Sequence, residues 1–575
     1  MSDTNTASIP VQDAGVVPSR RPTPAGNVPP TDTTARSSAI MAAGTLVSRI
    51  LGLVRVALLA TAIGTAGAVS DLFPAANNLP TYIFLMIAGG VFNAVLVPQI
   101  IRASRQEDRG ADFVSRLMTL SVIVLFILTV LITLAAPFLA DLLTNVSGDA
   151  LALTTVFAYW CLPQIFFYGL YSIIGQVLNA NGSFGPYMWA PVVNNIVSIG
   201  FLIAFITMLG AERTTAHTPD TWTPTHTLLL AGGTTLGIVI QAVVLIVPLR
   251  RLHLGLRPRF GWRGVGLGKT GRLASITIVT MLIGNGLYMV NQWVATIATE
   301  ARTDLPDDAY IAGLTNLDIG SLVYVLPHSV IALSLATVMF NRLAAAHSQG
   351  DVDTTKETLS LGMRTIGVAT VFGAAALLAL AAPLGMVFSG GIREGGALNA
   401  LIITLLAVGA PFLSANFFLN RVFYAAEDAI TPLKIQLILS VTGVALALTA
   451  SLFEPALIVP MLALSFTLGN IVAVVVSHVF LVRKIGGYGA GHIYDVHVRL
   501  TIAGLVAAAF GAGLLWFFGA YQPDGFVWQS VGSAVVVLVL AGPLMAAVYI
   551  GMLKVLRITE LTDFLAPLLT RFGRR

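Results

Sequence analysis

Residues 117–140 read LMTLSVIVLFILTVLITLAAPFLA, a run of 24 residues without a charged side chain. As an α-helix such a run is about 36 Å long, which exceeds the roughly 30 Å hydrocarbon core of a bilayer. Its apolar residues do not alternate with polar ones, so it lacks the pattern of a membrane β-barrel strand. The run therefore predicts a transmembrane helix.

Apolar runs of this kind recur along almost the whole chain of 575 residues. Hydrophobic residues make up 56% of the sequence and charged residues only 10%, whereas a soluble domain carries roughly 25% charged residues. We therefore predict an all-α, polytopic membrane protein with about fourteen transmembrane helices. The predicted spans lie near 38–66, 76–101, 117–140, 153–178, 187–209, 227–249, 273–298, 319–340, 365–389, 398–420, 435–453, 457–482, 500–520 and 531–553.

Basic residues are distributed unevenly between the loops on the two sides of the membrane. Of the 32 lysines and arginines, 27 fall on the side of the chain termini and two inside the first span, and the opposite side holds only Arg213, Arg302 and Arg393. Loops rich in lysine and arginine remain in the cytoplasm. We therefore predict a multi-pass protein of the cell membrane with both termini in the cytoplasm, and we attribute the net charge of +5 to this topology rather than to nucleic-acid binding.

A weak internal repeat divides the chain into two halves. Leu79-Pro80 and Phe92-Asn93 in the second span recur as Leu326-Pro327 and Phe340-Asn341 in the eighth, 247 or 248 residues later. Because the matching spans are six apart, we expect two parallel six-helix lobes with a cavity between them. The predicted units are a disordered cytoplasmic tail (1–36), a first lobe (37–249), a basic loop (250–272), a second lobe (273–484), two extra helices (485–556) and a basic tail (557–575).

Motifs for catalysis, nucleotide binding and metal binding are missing from the sequence. The single cysteine, Cys161, lies in an apolar run, so neither a disulfide framework nor a cysteine zinc site can form. We find no Walker motif and no nucleophile paired with a base. We expect a transporter rather than an enzyme, without a cofactor or a metal.

Two arginines lie within the first predicted span, at Arg49 and Arg55. Each costs roughly 2.5–3.5 kcal/mol at a helix centre, so a compensating environment is needed. Six residues of helix place them about 9 Å apart along the axis and about 120° apart around it, so one aqueous cavity could contact both. A guanidinium keeps its charge and binds phosphate oxygens in pairs, which suits a lipid diphosphate. The alternative is structural, with Arg49 reaching the interface and Arg55 paired with an acid.

The acidic residues are placed differently, because all 27 fall in tails, loops or span ends. This placement argues against a drug/proton antiporter that protonates a carboxylate at mid-membrane. Asp71 and Asp318, at the ends of the second and eighth spans, are candidate gating residues, and Asp428, on the cytoplasmic side, is a candidate cation ligand. For all three, a solvated loop position is the alternative.

Several motifs in the first half of the sequence resemble the MurJ/MviN family of lipid II flippases. They are SRILGLVR (48–55), SDLF (70–73), NLP (78–80), GVFNA (90–94), LPQIFFYG (162–169), QVLNA (176–180) and APVVNN (190–195). The second half resembles the family less, mainly at FYA (423–425), Asp428 and Thr431-Pro432. The resemblance implies a fold of the multidrug/oligosaccharidyl-lipid/polysaccharide exporter superfamily, with a cationic cavity and a groove for the polyprenyl tail at spans thirteen and fourteen.

The resemblance also assigns candidate residues. It places the family's substrate-binding arginines at Arg49 and Arg55 and its acidic residue at Asp71, and the amides Asn78 and Asn93 lie in matching motifs as further candidate substrate ligands, although amides inside spans commonly join helices. The sequence departs from the family at charged positions, which are here Val56, Phe84, Leu85, Gly89, Ser321 and Leu322. The cavity is therefore expected to be less cationic than is usual in the family.

Taken together, these features predict an alternating-access flippase that moves lipid II, an undecaprenyl-diphosphate-linked peptidoglycan precursor, from the inner to the outer leaflet of a bacterial plasma membrane. The expected partners are this lipid-linked substrate, membrane lipids and cell-wall synthesis proteins. The alternatives are a flippase for another polyprenyl-linked polysaccharide or teichoic-acid unit, a drug/cation antiporter, and a noncatalytic scaffold of cell-wall synthesis.

Overall fold

The structure is a computed structural model that describes residues 32–91, 111–261, 271–303 and 310–560. The described residues are mainly α-helical and contain no β-strand. In a bilayer, a helix satisfies every backbone hydrogen bond within its own segment, so this architecture fits the apolar composition. The prediction of an all-α membrane protein is confirmed.

Eighteen helices are used below, numbered in chain order. They are α1 (Asp32–Ile63), α2 (Ala68–Val91), α3 (Ala111–Leu134), α4 (Ala136–Leu143), α5 (Gly148–Ala180), α6 (Phe184–Leu209), α7 (Pro224–Arg251), α8 (Gly271–Thr303), α9 (Leu314–Tyr324), α10 (Leu333–Ser348), α11 (Val352–Ala379), α12 (Ala381–Val387), α13 (Arg393–Ala407), α14 (Ala410–Ala425), α15 (Ile430–Ala450), α16 (Pro455–Ile485), α17 (Ala490–Phe517) and α18 (Val531–Val555). The first helix begins at Asp32, inside the predicted tail of residues 1–36.

Ten helices in the described part of the chain are long and apolar enough to cross a membrane, or eleven if the bent pair α13 and α14 is one span. The predicted count of fourteen is therefore not confirmed. Helices α2 and α8 have 24 and 33 residues but are outside this set. Both contain polar residues, among them Asp71 and Asn78 in α2 and Asn291 in α8, and these two helices pack closely against each other.

Several helices are broken at identifiable points. In α5 the helix is interrupted at Leu162-Pro163, where the proline cannot donate a backbone hydrogen bond. A π-helical turn at His328–Ala332 lies between α9 and α10, and another at Leu228–Gly232 lies within α7. Such turns often occur at functional sites.

Buried apolar residues form clusters that are drawn almost entirely from one half of the chain each. One cluster in the first half includes Leu72, Phe157 and Phe205. A cluster in the second half includes Ile402 and Leu462, and the only buried member it takes from the first half is Ala75. We call residues 32–261 the first half and residues 271–485 the second half.

The last two helices, α17 and α18, pack against the second half. Leu500 and Tyr549 join Val368 of α11 in one buried cluster, and the Tyr549 hydroxyl donates a 2.8 Å hydrogen bond to the Val368 carbonyl oxygen. Large apolar side chains such as Phe126, Leu131 and Phe517 are exposed on the outside of the bundle. An exposed apolar belt of this kind is the surface that a bilayer covers.

The two ends of the bundle differ in charge. The C-terminal ends of α7, α16 and α18 lie at the same end of the bundle and carry basic residues in their last turns. These residues are Arg250, Arg251, Arg483, Lys484 and Lys554. We call this end the basic side and the other end the opposite side. That the basic side faces the cytoplasm stays a prediction.

Candidate functional site

A buried ion pair joins the two halves on the opposite side. Asp71 lies in the first turn of α2, and Arg302 lies in the last turn of α8. Their side chains are 0% and 4% exposed, and Arg302 Nη1 is 2.8 Å from Asp71 Oδ2. Arg302 was predicted in a loop on the opposite side, but α8 extends to Thr303 and carries the guanidinium into the interface.

The remaining polar atoms of this pair are satisfied by neighbouring groups. The Thr299 hydroxyl and the Thr315 backbone N–H each donate a 2.8 Å hydrogen bond to the Asp71 carboxylate. Arg302 donates to the carbonyl oxygens of Gly67 and Ile311 and to the side chain of Asn316, at 2.7–3.1 Å. We call this arrangement the Asp71–Arg302 junction. Because a buried charge is tolerated only when it is paired and hydrogen-bonded, the network accounts for two charges in the interface.

Gly313 leaves the space that the junction needs. A Cβ atom at this position would lie 2.0 Å from Asp71 Oδ2 and 2.6 Å from Arg302 Cζ. Either distance is far below van der Waals contact, so any larger residue would displace the ion pair. The glycine therefore allows the start of α9 to approach the two charges directly.

A second contact on the opposite side lies near the same end of α8. The Glu300 carboxylate accepts hydrogen bonds from the backbone N–H and the hydroxyl of Ser147, the residue before α5. Thr296 accepts a 2.8 Å hydrogen bond from the Asn145 backbone N–H. Acidic side chains stabilise helix N-termini, so Glu300 of one half caps a helix of the other. The end of α8 therefore holds two separate segments of the first half.

A small cavity of about 150 Å³ lies between α1, α2 and α9. Asn78 and Asp318 both line it, and Asn78 Nδ2 donates a 2.9 Å hydrogen bond to Asp318 Oδ2 across the two halves. The structure thus brings one predicted substrate ligand and one predicted gating residue into direct contact. The two roles stay predictions.

Arg49 also contacts the second half. Its Nη1 donates a 2.7 Å hydrogen bond to the Ser329 hydroxyl, which lies in the π-helical turn before α10. The Ser329 hydroxyl donates in turn to the Leu326 carbonyl oxygen at 3.1 Å. We call this the Arg49–Ser329 contact. It joins a cation to a neutral hydroxyl, and Arg49 remains half-buried.

Arg55 lies six residues further along α1 and has no such acceptor. It is half-buried, and among the residues that the structure describes it makes no hydrogen bond or ion pair. The Tyr168 phenol of α5 interacts with it electrostatically. A permanent charge without a partner in the protein needs water or an anionic ligand.

Asp428 is placed apart from these residues, between α14 and α15 on the basic side. Its carboxylate accepts hydrogen bonds from the Ile430 and Thr431 backbone N–H groups and pairs with Lys484. Burial raises the pKa of Asp428, but the Lys484 ammonium and the Thr431 donors outweigh it, and the pKa of the carboxyl falls to about 2. A helix cap and an ion pair account for this carboxylate, and the cation role stays a prediction.

A large apolar groove of about 870 Å³ lies on the second half, towards the basic side. Its walls come from α11, α14, α16 and α17 and include Ala375, Phe412, Val475 and Leu505. The family resemblance implied a lipid-tail groove at the last two spans. The last helix, α18, contributes no lining residue in the described groove, because it packs behind α17.

The predicted site residues therefore divide into groups. Asn78 and Asp318 touch, Asp71 and Arg49 each bind the opposite half, and Asn93 lies outside the described residues. Sequence reasoning missed Arg302 and Glu300 as interface residues. A signal for Arg302 existed, because it is one of only three basic residues predicted on the opposite side.

Comparison with known proteins is consistent with this geometry. The family model for "Lipid II flippase MurJ" matches residues 59–548. A protein named "Probable lipid II flippase MurJ" from Haemophilus influenzae is 24% identical over 512 residues, covering 85% of this chain and 92% of that protein. One of the same name from Synechocystis sp. is 28% identical and covers 70% and 73% of the two chains. The family match begins after Arg49 and Arg55, so these arginines lie outside it.

Solved structures show the same fold. A lipid II flippase MurJ in an inward closed conformation superposes with a TM-score of 0.65 at 17% identity, covering 89% of this chain and 98% of that one. A multidrug resistance MATE family transporter in an inward-facing conformation superposes with a TM-score of 0.60, covering 77% and 95%. The family model spans most of the sequence, and this polytopic membrane protein belongs to the lipid II flippase MurJ family.

Proposed function

We propose that this protein is a lipid II flippase, which moves an undecaprenyl-diphosphate-linked peptidoglycan precursor from the inner to the outer leaflet by alternating access. Membership of the MurJ family supports the substrate class, since the relatives carry that name. The contacts between the two halves support the mechanism. A transporter of this kind needs two halves that separate first on one side and then on the other.

The observation that carries the proposal is the environment of Arg55. A guanidinium stays ionised at any physiological pH and binds phosphate oxygens through paired N–H donors. Arg55 is half-buried between helices and has no acceptor among the described residues. Its free donors suit a diphosphate that arrives with the substrate. Arg49 would join it, since Ser329 is a neutral acceptor that a phosphate can replace.

The Asp71–Arg302 junction and the Arg49–Ser329 contact support a cycle in which the opposite side opens last. The Asp71–Arg302 junction joins the halves on that side through a buried ion pair, and it would keep that side closed. The diphosphate would reach Arg49 and Arg55 from the basic side. Separation of the halves at Asp71 and Arg302 would then release it to the other leaflet.

The apolar groove supports a lipid-linked substrate rather than a soluble one. A polyprenyl chain is apolar throughout, and each CH₂ group that it buries contributes about 0.8 kcal/mol. The groove gives such a chain about 870 Å³ of apolar space on the second half. The sugar and diphosphate would cross between the halves while the chain stays on the lipid side.

The topology follows from the same proposal. We infer that the basic side, with both termini, faces the cytoplasm of a bacterial cell and that the opposite side faces outward. The two halves would act as two six-helix lobes, with α17 and α18 added to the second. Cell-wall synthesis proteins are the expected protein partners.

The test is replacement of Arg55 in a strain depleted of its own flippase. We expect Arg55→Ala to abolish complementation while the protein remains in the membrane, because the diphosphate loses its free cation. Arg55→Lys keeps the positive charge but lacks the paired N–H donors of a guanidinium, so we expect it to restore only part of the activity. The matched control is Arg213→Ala, an exposed loop arginine on the opposite side, which should complement normally.

Leaflet-resolved measurement of lipid II in the same strains separates transport from other roles. Accumulation in the inner leaflet with the Arg55→Ala variant is the expected result. Normal growth and a normal lipid II distribution in that variant would remove Arg55 from the mechanism and refute the proposal.

A further inference from the structure

The end of α18 directs the chain back onto the second half. Arg557 has φ 54°, a left-handed conformation that is uncommon for a residue other than glycine. The Ile558 N–H binds the Leu553 carbonyl oxygen at 3.0 Å, and the Arg557 N–H binds that of Lys554 at 3.1 Å. These two bonds form a Schellman motif, which ends the helix and reverses the chain.

The reversal buries the residues that follow the helix. Ile558 is 7% exposed and packs with Leu553 and Tyr549 in the cluster that joins α11, α17 and α18. Two residues later, the Glu560 carboxylate pairs with Arg364 of α11. We call residues 556–560 the strap.

The Arg364–Glu560 ion pair is largely removed from solvent. The Arg364 side chain is 17% exposed and that of Glu560 is 4% exposed. Arg364 Nε also donates to the Ser360 carbonyl oxygen at 3.3 Å. Desolvation of two charges cancels most of their attraction, so a buried pair of this kind contributes little net stability. A role in stability alone therefore does not account for it.

The pair lies at the basic end of the apolar groove. Met363, next to Arg364, lines the groove, and so does His497 of α17, which interacts electrostatically with Glu560. At the same end, His478 and the Tyr488 hydroxyl, both lining residues, form a 2.5 Å hydrogen bond. The walls of the groove are therefore apolar. One end of the groove is polar and has a guanidinium beside it.

We propose that Arg364 is a binding site for the diphosphate of a polyprenyl diphosphate lipid whose chain lies in the groove, and that Glu560 of the strap occupies this site until the lipid displaces it. The inference rests on the proposed function, because that function supplies a lipid of this class. It adds a second diphosphate site, outside the space between the halves, and a competitor for it.

Charge and geometry support this assignment. A carboxylate presents to a guanidinium the same pair of oxygens as a phosphate does, so Glu560 is a mimic of the ligand. A diphosphate carries more negative charge than one carboxylate and can outcompete it. The apolar groove and the cation at its end match the two parts of such a lipid, in the order in which it would enter from the basic side.

The test is lipid binding to the purified full-length protein in phosphatidylethanolamine nanodiscs, with undecaprenyl diphosphate as the probe. We expect Glu560→Gln to bind the probe about tenfold more tightly than the wild type, since the competing charge is gone. Arg364→Gln alone would leave a buried carboxylate unpaired and could fail to fold. The double variant Arg364→Gln with Glu560→Gln replaces the ion pair by two amides, and its affinity should fall back to the wild-type value or below.

The matched control is Asp495→Asn, which removes one carboxylate of an exposed pair with Arg499 at the same end of α17. Its affinity should equal that of the wild type. A second readout uses the fact that Cys161 is the only cysteine. In a Cys161→Ala background, an environment-sensitive dye on Thr559→Cys should report release of the strap when undecaprenyl diphosphate is added.

Each other outcome overturns the inference. Equal affinities of Glu560→Gln and the wild type would show that the strap does not compete. If phosphatidylglycerol displaced the probe as well as undecaprenyl diphosphate does, the assignment of a diphosphate site would be refuted. If inorganic pyrophosphate bound as tightly as undecaprenyl diphosphate, the apolar groove would have no role in binding. These results are distinct from failure of the proposed function, which is read from lipid II transport by the Arg55 variants rather than from binding at Arg364.

Discussion

Two of the contacts between the halves of the protein are very different in kind. On the opposite side, the Asp71–Arg302 junction joins two opposite charges that are 0% and 4% exposed, and nearby donors and acceptors satisfy both. Nearer the basic side, the Arg49–Ser329 contact is one hydrogen bond between a half-buried cation and a neutral hydroxyl. Arg55, in the same helix, has no acceptor among the described residues.

The difference predicts which contact is more sensitive to the loss of one partner. Removing one partner of a buried ion pair costs about 3–5 kcal/mol. Loss of a hydrogen bond at a site that water can reach costs about 1 kcal/mol. Measured by the cost of losing one partner, the junction on the opposite side is therefore the stronger contact, and the contact at Ser329 can be exchanged for a ligand. A strong contact on the opposite side and an exchangeable one nearer the basic side suit a protein that admits its substrate from the basic side.

The largest expected effect comes from breaking the stronger contact. Arg302→Gln leaves the Asp71 carboxylate buried without its cation, so we expect the free energy of unfolding to fall by about 3–5 kcal/mol. Thermal unfolding in detergent measures the change. The double variant Arg302→Gln with Asp71→Asn should recover most of the lost free energy of unfolding, because its two neutral amides leave no buried charge without a partner. If the single and double variants had the same unfolding temperature, Asp71 and Arg302 would not be energetically coupled. The ranking of the two contacts would then be refuted.

The sequence predicted the fold class well because its signal is local. Runs such as residues 117–140 contain the whole argument for a membrane helix, and the structure places helix α3 over residues 117–134 and the short helix α4 directly after it. The family was identified from motifs that are equally local. The number of spans was harder to predict, because α2 and α8 place polar residues in the interface between the halves, where another helix rather than lipid covers them.

The site was predicted only in part, because pairing depends on tertiary packing. Asp71 stood out in the sequence as an acid at a span end, but its partner is 231 residues away. Nothing local indicates that Arg302 turns inward rather than into water. The same holds for Arg49, whose acceptor Ser329 is a common residue that becomes notable only in its π-helical turn.

A smaller effect is expected from the weaker contact. Ser329→Ala removes the acceptor of Arg49, and water can replace it, so we expect a loss of only about 1 kcal/mol in stability. Hydrogen exchange of the α9–α10 segment should nevertheless rise, because the contact that ties this turn to α1 is gone. Ser334→Ala is the matched control, since in the described part of the chain the Ser334 hydroxyl binds locally, to the Val330 carbonyl oxygen four residues earlier, and does not join the two halves. A stability loss as large as that of Arg302→Gln would contradict the ranking of the two contacts.

The most indirect expected effect is a pH dependence that arises in a loop next to the stronger contact. Glu212, in the loop after α6, accepts a 3.0 Å hydrogen bond from the His217 N–H and packs on the turn at Gly64, which has φ 71°. The same turn includes Gly67, whose carbonyl oxygen accepts from Arg302 at 3.1 Å. Burial raises the pKa of Glu212 to about 7, although the hydrogen bond from the His217 backbone N–H lowers that pKa. Ionisation of Glu212 should therefore loosen the turn that supports the junction.

The sign of this effect follows from proton binding. The usual pKa of a glutamate is near 4.5, so between about pH 4.5 and 7 the folded protein holds more protons than the unfolded chain, and stability falls as pH rises. Burial lowers the pKa of His217, which gives the opposite slope, so the informative quantity is the difference between the wild type and Glu212→Gln. We expect the variant to lose the decline between pH 4.5 and 7 in thermal unfolding, and Glu454→Gln, an exposed glutamate on the same side, to keep it. An unchanged profile in Glu212→Gln would show that this loop does not affect the stability of the junction.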